Sequence, residues 1–340
     1  MNSFTPLPYF YARYQSLSDA VQLPVPTFKF DARCHQDKDC SAISTGLFFL
    51  GGDNFSPEKA LVAGASIGEQ LQISTSLPRV HRGDNQCAYL ADDTALLVYW
   101  ANESDYSDMT ALSQSVYARL LQDAQKFGYP HMVRVWNYFE DINGEQQGLE
   151  RYRHFCLGRF EALNAQNVPA EDYPSACALG HQGGEFLVYA LVSKTAPQHF
   201  ENPRQAAAYH YPSEYGPRSP SFARASVLAQ GDVATLFLSG TASVVGHETL
   251  HADNVDGQIA TTLENIRILI DHIAQQTQRD YPGTWQAQVL KVYVRHQDDV
   301  EYIQQKIRAA YPDVPTVYVH ADICRKDLLL EIDGLWNLAR

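Results

Sequence analysis

The spacing of apolar positions repeats itself along the chain. From Leu236, LFLSGTASVVG mixes β-branched, apolar and small residues as strands with a glycine bend do. QIATTLENIRILIDHIAQQT then places Ile259, Leu263, Ile266 and Ile270 on one helical stripe. VLKVYVR returns to a strand, DDVEYIQQKIRAAY to a helix, and TVYVHADI and LLLEID close as strands around Cys-Arg-Lys-Asp. The predicted order is β-β-α-β-α-β-β over about 110 residues, which suits one α+β domain.

The earlier half carries the same order in a degenerate copy. TALLVYWA reads as a strand, and TALSQSVYARLLQDAQKFG as a helix with Gly128 as its natural cap. MVRVWNYFEDI is the counterpart of VLKVYVRHQDD and sets Arg134-Val135-Trp136 against Lys291-Val292-Tyr293. GLERYRHFCLGRFEALNAQ supplies the second helix, and SACALG and EFLVYALVS the final strands. The expected fold class is therefore α+β, two β-β-α-β-α-β-β units packed side by side around a shared cleft. The division is 1–197 for the N-terminal domain, 198–221 for a connector and 222–340 for the C-terminal domain.

Between the copies lies HFENPRQAAAYHYPSEYGPRSPSFARA, where Gly216-Pro217 and Ser219-Pro220 bar regular structure. Its tyrosines (Tyr209, Tyr211, Tyr215) and arginines (Arg218, Arg224) make a poor solvated spacer. They suit either an ordinary packed connector or a wall for an anionic, ring-shaped ligand.

Composition narrows the function classes. The 340 residues are 45% apolar, without an apolar run long enough to span a bilayer. MNSFTPLPYFYARYQ lacks the basic-then-apolar order of a signal peptide, so the expected location is the cytoplasm. The six cysteines, Cys34, Cys40, Cys87, Cys156, Cys177 and Cys324, show no paired C-x-x-C spacing and read as reduced thiols. Cys34-His35 with Cys40 reads as a surface loop, and Cys156 and Cys177 as core fillers. A net charge of −13 argues against nucleic acid or an anionic membrane as the partner, though not against a small anion held by a few arginines.

GHETLH, residues 246–251, contains H-E-x-x-H, which binds zinc when both histidines share one helical face. Here the motif follows a strand-like run and precedes ADNVDG, a turn cluster, so the two helical turns it needs are missing. The stretch reads as a polar strand end or loop, and no metal is expected.

Longer motifs point further. LFLSGTAS, LENIRILI, KVYV and ICRKDLLLEIDG resemble the RidA/YjgF domain over about a third of the chain. In order, RYRHFCLGRFEAL, YPSEYGPRSPSFARA, SGTASVVGHETLH and ADICRKDLLLEIDG resemble the chorismatase family across most of the chain. That resemblance implies removal of the enolpyruvyl side chain of chorismate as pyruvate, without metal or organic cofactor. It implies 3-hydroxybenzoate as the other product, with 4-hydroxybenzoate as a companion in some members. The aromatising branch carries a cysteine seven residues before the catalytic glutamate, the spacing of Cys324 and Glu331 here. The alternatives are a chorismate hydrolase that leaves a dihydroxycyclohexadiene carboxylate, and a RidA-like protein that handles enamines or imines or binds carboxylates. Two copies in one chain make a monomer the expected state.

Chemistry bears on the same residues. Cleaving an enol ether begins with protonation of its methylene carbon, which needs a carboxylic acid that is neutral near pH 7. Glu331 lies among Leu328, Leu329, Leu330 and Ile332, where desolvation raises a carboxyl pKa; an isolated glutamate there would read first as a strand-end group facing water, and the resemblance reverses that order. Two substrate carboxylates call for fixed cations, and the resemblance points to Arg159 and Arg295, with Arg218 a third candidate. Arg159 otherwise reads as a helix-surface residue and Arg295 as a strand-edge charge beside Asp298. Tyr152, Tyr211 and Tyr215 would wall the ring, and the resemblance places Ala242 as a small residue that leaves room for substrate.

Overall fold

Asp108 accepts a hydrogen bond from the Ala111 N–H at 2.8 Å, and Gly128 adopts the left-handed conformation. Together they bound the first long helix, α1 (Met109–Phe127), where the pattern predicts it. The computed structural model describes residues 11–16, 27–30, 42–50, 66–72, 79–181, 185–230 and 233–339. The Cys34-His35 and Cys40 stretch lies outside the described residues.

The first unit runs β1 (Gln86–Leu90), β2 (Thr94–Asn102), α1, β3 (His131–Glu140), α2 (Arg151–Ala165), β4 (Ser175–His181) and β5 (Glu185–Ser193). The second runs β6 (Ala225–Gln230), β7 (Val233–Thr241), α3 (Val255–Thr277), β8 (Thr284–Val294), α4 (Val300–Ala310), β9 (Thr316–His320) and β10 (Leu330–Ala339). The spatial orders correspond strand for strand: β4-β3-β5-β2-β1 in one sheet, β9-β8-β10-β7-β6 in the other. Among these ten strands only the first pair of each order is parallel, joined through a crossover helix. The predicted repeat is thus a repeat of topology, two β-β-α-β-α-β-β units in one chain.

Each sheet has two apolar faces. One face of the first sheet packs on α1 and α2, and one face of the second on α3 and α4. The remaining faces meet in a shared core that includes Leu187, Tyr189, Phe237, Val289, Tyr293 and Leu335. The result is helices, sheet, sheet, helices. Along β10, Leu330 and Ile332 face the helices, so Glu331 and Asp333 face the opposite sheet. Helix α3 differs in one detail from its predicted stripe. Ile259, Ile266, Leu269 and Ile273 are buried, while Leu263 and Ile270 lie at the margin. Polar side chains rotate the buried face: Asn265 Nδ2 donates to the carbonyls of Ala242 (3.0 Å) and Val244 (2.9 Å). None of the described helices is long and apolar enough to cross a membrane.

Two links hold the sheets in register. The short strand Asp322–Ile323 leaves the second unit and joins the edge of the first sheet, Ile323 opposite Leu179. In the core, the Arg134 guanidinium on β3 lies 3.0 Å from Asp333 on β10, with both side chains buried. Tyr293 donates to the same carboxylate at 3.3 Å. Removing one partner of a buried ion pair costs more than replacing both, so Arg134→Met should lower the unfolding free energy by about 3–5 kcal/mol in urea titrations. Arg134→Met/Asp333→Leu should recover most of that loss, and equal losses in both variants would mean the pair is not coupled.

Candidate active site

A cavity of about 510 Å³ opens between the units, and Glu331 stands in its wall. The Glu331 side chain is 3% exposed, and its Oε1 has no hydrogen-bond partner. Burial pushes its carboxyl up to about 8, the nearby Asp333 carboxylate pushes the same way, and Arg134 and Arg224 pull against both. The group is therefore a neutral acid at neutral pH. Its space exists because residue 240 on β7 lacks a side chain: a Cβ there would fall 1.8 Å from Glu331 Oε1 and 3.0 Å from the Cys177 Cβ. A glycine within a strand marks such a close approach.

Four further elements bring side chains to the same cavity. From the segment after Ile323 comes Cys324, half-buried, its thiol raised by burial with Glu331 adding to the effect. Helix α2 supplies Tyr152 and Arg159. Burial and then Cys156 raise the Tyr152 phenol. Helix α2 lies close on α1 because residue 158 is glycine, where a Cβ would meet the Thr110 carbonyl and the Ser113 hydroxyl at 2.2 Å. Arg159 is thereby carried under the surface, 3% exposed, over the Tyr117 ring at 5.1 Å. Its Nε and Nη2 have no hydrogen-bond partner. Unmatched buried guanidinium donors beside a cavity suit an anion.

The connector forms the third wall. Tyr211 accepts from Arg224 Nη2 at 2.7 Å, and Arg224 Nε lies 3.8 Å from Glu201, whose carboxyl burial pushes up to about 7. The Tyr215 hydroxyl meets His247 Nδ1 at 3.2 Å. Arg325 completes the rim: its guanidinium stacks 4.4 Å from the Tyr215 ring centre, and its Nη1 donates to the His247 carbonyl at 2.8 Å. Ala242, beyond Gly240, forms part of the floor.

Seven of the sequence-chosen residues thus meet in one place: Glu331, Cys324, Tyr152, Arg159, Tyr211, Tyr215 and Ala242. Two do not line it. Arg218 is exposed and stacks over Phe160 at 4.3 Å. Arg295 is directed away, its donors engaged by Asp322, Asn143 and backbone carbonyls. The cavity gains instead Arg325 and Gly240, which sequence reasoning missed, and Arg224, which it named only as part of the connector wall. Arg325 was signalled by its place beside Cys324, and Gly240 by its place inside a strand-like run. GHETLH forms a short hairpin in which Val244–Val245 pairs with Glu248–Thr249, with Gly246 at φ +58°. His251 also has positive φ, and α3 begins only at Val255, so the two histidines share no helix.

Such a cleft, with one neutral acid and unmatched guanidinium donors between two fused units, defines a two-unit α+β enzyme. The family model "Chorismatase FkbO/Hyg5-like, N-terminal" matches residues 73–192. A 3-hydroxybenzoate synthase of Streptomyces hygroscopicus is 40% identical over 235 residues, 66% of this chain and 69% of its own. A chorismatase of the same organism is 36% identical over 259 residues, 74% of each chain. A solved chorismatase structure superposes with a TM-score of 0.77 at 25% identity, covering 98% of this chain and 99% of its own. The chain belongs to the chorismatase family.

The fit of Glu331 against residue 240 is testable by itself. Gly240→Ala should turn the carboxyl away from its present position, visible in a crystal structure, and cost about 1–3 kcal/mol from overpacking. An unmoved Glu331 with unchanged stability would mean the strand yields instead.

Proposed function

We propose that this enzyme converts chorismate to pyruvate and 3-hydroxybenzoate, with Glu331 as the general acid. The observation that carries the reading is a carboxyl held neutral by burial in a cavity that also holds the unmatched donors of Arg159. The relatives named for this chemistry support it.

The proton on Glu331 goes to the terminal methylene of the enol ether, and the side chain becomes an oxocarbenium ion. The positive charge develops in a cavity whose acid has become an anion, so the pair formed in the transition state is mutually stabilised. Arg159 holds one substrate carboxylate, and Arg224 and Arg325 stand by for the other. Tyr211 and Tyr215 wall the ring. Water capture of the oxocarbenium would give pyruvate and a dihydroxycyclohexadiene carboxylate. The aromatic outcome consumes no net water, since hydroxybenzoate is that diol less one water. Cys324, kept as a thiol by burial and by Glu331, acts on this second choice through shape and weak hydrogen bonding instead of as a thiolate.

The reading takes the protein as a cytoplasmic monomer that requires neither metal nor organic cofactor. It takes 1–197 and 222–340 as the two domains, with 198–221 between them lining the site. Two copies of one sheet topology flanking a cavity-lining connector support that division.

Purified protein given chorismate in the presence of EDTA should release pyruvate and a hydroxybenzoate, followed by chromatography. Glu331→Gln, which keeps shape and a donor but has no proton for carbon, should bind chorismate and release pyruvate at least about a hundredfold more slowly. The pH profile has a fixed sign. The acid form is the active one, so the parent's rate should hold below pH 8 and fall above it. Chelator-sensitive turnover restored by zinc, or Glu331→Gln within a few-fold of the parent, would remove the assignment.

Cys324→Ala tests the product. It should divert material from hydroxybenzoate to the diene-diol while pyruvate release continues. An unchanged hydroxybenzoate share would take Cys324 out of the chemistry and leave it as wall.

A further inference from the structure

Arg295 presents a charged group that the cavity does not use. Its side chain is largely buried at the end of β8, and all three guanidinium nitrogens are engaged. Nε donates to the Leu328 carbonyl at 2.7 Å, and Nη1 to Asp322 Oδ1 at 2.7 Å. Nη2 lies within hydrogen-bond distance of the carbonyls of Ile323 (3.0 Å) and Arg325 (2.8 Å), and of Asn143 Oδ1 (3.2 Å). Four of these acceptors, on Asp322, Ile323, Arg325 and Leu328, belong to the segment that carries Cys324 and runs into Glu331. The fifth, Asn143, belongs to the first unit, and Asn143 and its neighbour Gly144 line the cavity.

The same segment has a second clamp. Gln258 on α3 is fully buried; its Nε2 donates to the Asp327 carbonyl at 2.7 Å, and its Oε1 accepts from the Leu329 N–H at 2.8 Å. Between them, Arg295 and Gln258 take the carbonyls of Ile323, Arg325, Asp327 and Leu328. An irregular segment with so many backbone groups tied to side chains from two elements has little freedom to shift.

We infer that Arg295 is a positioning residue: by stapling Ile323, Arg325 and Leu328 it fixes the Cys324 thiol relative to Glu331, and so sets how the cleaved substrate divides between products. This rests on the chorismate reading above, in which Cys324 governs the second step. It also assigns Arg295 a role other than gripping substrate, because its donors are already spent on the protein. Arginine suits the place, since a planar fork reaches several carbonyls at once where a lysine ammonium acts as one point.

The test compares Arg295→Lys, Arg295→Gln and Asn143→Ala with the parent. With chorismate, KM should stay within about threefold, as expected where uniform substrate binding is untouched. Pyruvate release should fall by less than about tenfold, while the hydroxybenzoate share drops and the diene-diol rises, because a shift well under 1 Å suffices to spoil alignment. Asn143→Ala, which removes one contact of five, should show the smallest change and keeps the test open if the Arg295 variants fold poorly. Methylguanidinium added to Arg295→Ala should restore part of the hydroxybenzoate share. A second readout needs no turnover: alkylation of Cys324 by iodoacetamide, followed by mass spectrometry, should quicken at least about tenfold in Arg295→Gln as the segment opens. A KM raised about a hundredfold with an unchanged product ratio would make Arg295 a substrate ligand and overturn the inference. So would unchanged alkylation of Cys324. If the parent itself releases no pyruvate, the chorismate reading fails, and the alkylation comparison still decides whether Arg295 holds the segment.

Discussion

A carboxyl group that must stay un-ionised can exist only where water cannot reach it and no cation pairs with it fully. Glu331 meets that condition on the inner face of β10, beneath a cavity and against the bare backbone of Gly240. Much of the surrounding architecture can be understood as its consequence. Asp333, two residues on and on the same face, carries a carboxylate that disfavours a second negative charge nearby, while its own charge is met by Arg134 from the other sheet. The cation needed to bury one carboxylate is thus kept on Asp333, and the acid next to it remains protonated.

Doubling of one topology is what makes room for this arrangement. Two sheets meeting through apolar faces would ordinarily leave a dry, filled core, as they do around Tyr189 and Leu335. At one end the sheets are separated by the connector, by the hairpin of GHETLH and by the Cys324 segment, and the gap becomes the cavity. The arginines that reach it come from a helix, a strand edge and an irregular segment. A strongly acidic chain can in this way hold a locally positive pocket, since desolvated guanidinium groups act over short range while the surface charge is screened by salt.

The repeat, the helices and most of the cavity wall were legible in the sequence, because each rests on local period or on motifs such as RYRHFCLGRF and ICRKDLLLEIDG. What local pattern cannot carry is direction. Arg159 on a helix and Arg295 at a strand end both read as ordinary surface charges, yet the close approach of α1 and α2 at Gly158 buries the first with unmatched donors, and the carbonyls of residues 323, 325 and 328 consume the second. The difference depends on contacts across more than twenty residues of sequence. The same holds for α3, whose buried face turns toward Gln258 and Asn265 because loop backbone elsewhere takes their amides. GHETLH shows the converse: the motif matched zinc proteases letter for letter, and the turn residues around it were the better guide.

The strand Asp322–Ile323 has a bearing on how such enzymes can diversify. It is encoded with the second unit but hydrogen-bonds into the sheet of the first, opposite Leu179 and Gly180, immediately before Cys324. Recombination that exchanged one unit for a relative's would have to match this foreign edge as well as its own core, and any mismatch would fall one residue from Cys324, the group proposed to steer the product. With that role for Cys324, inheritance of the fold and inheritance of selectivity are coupled at a single seam, which favours gradual substitution within an intact chain over the shuffling of halves.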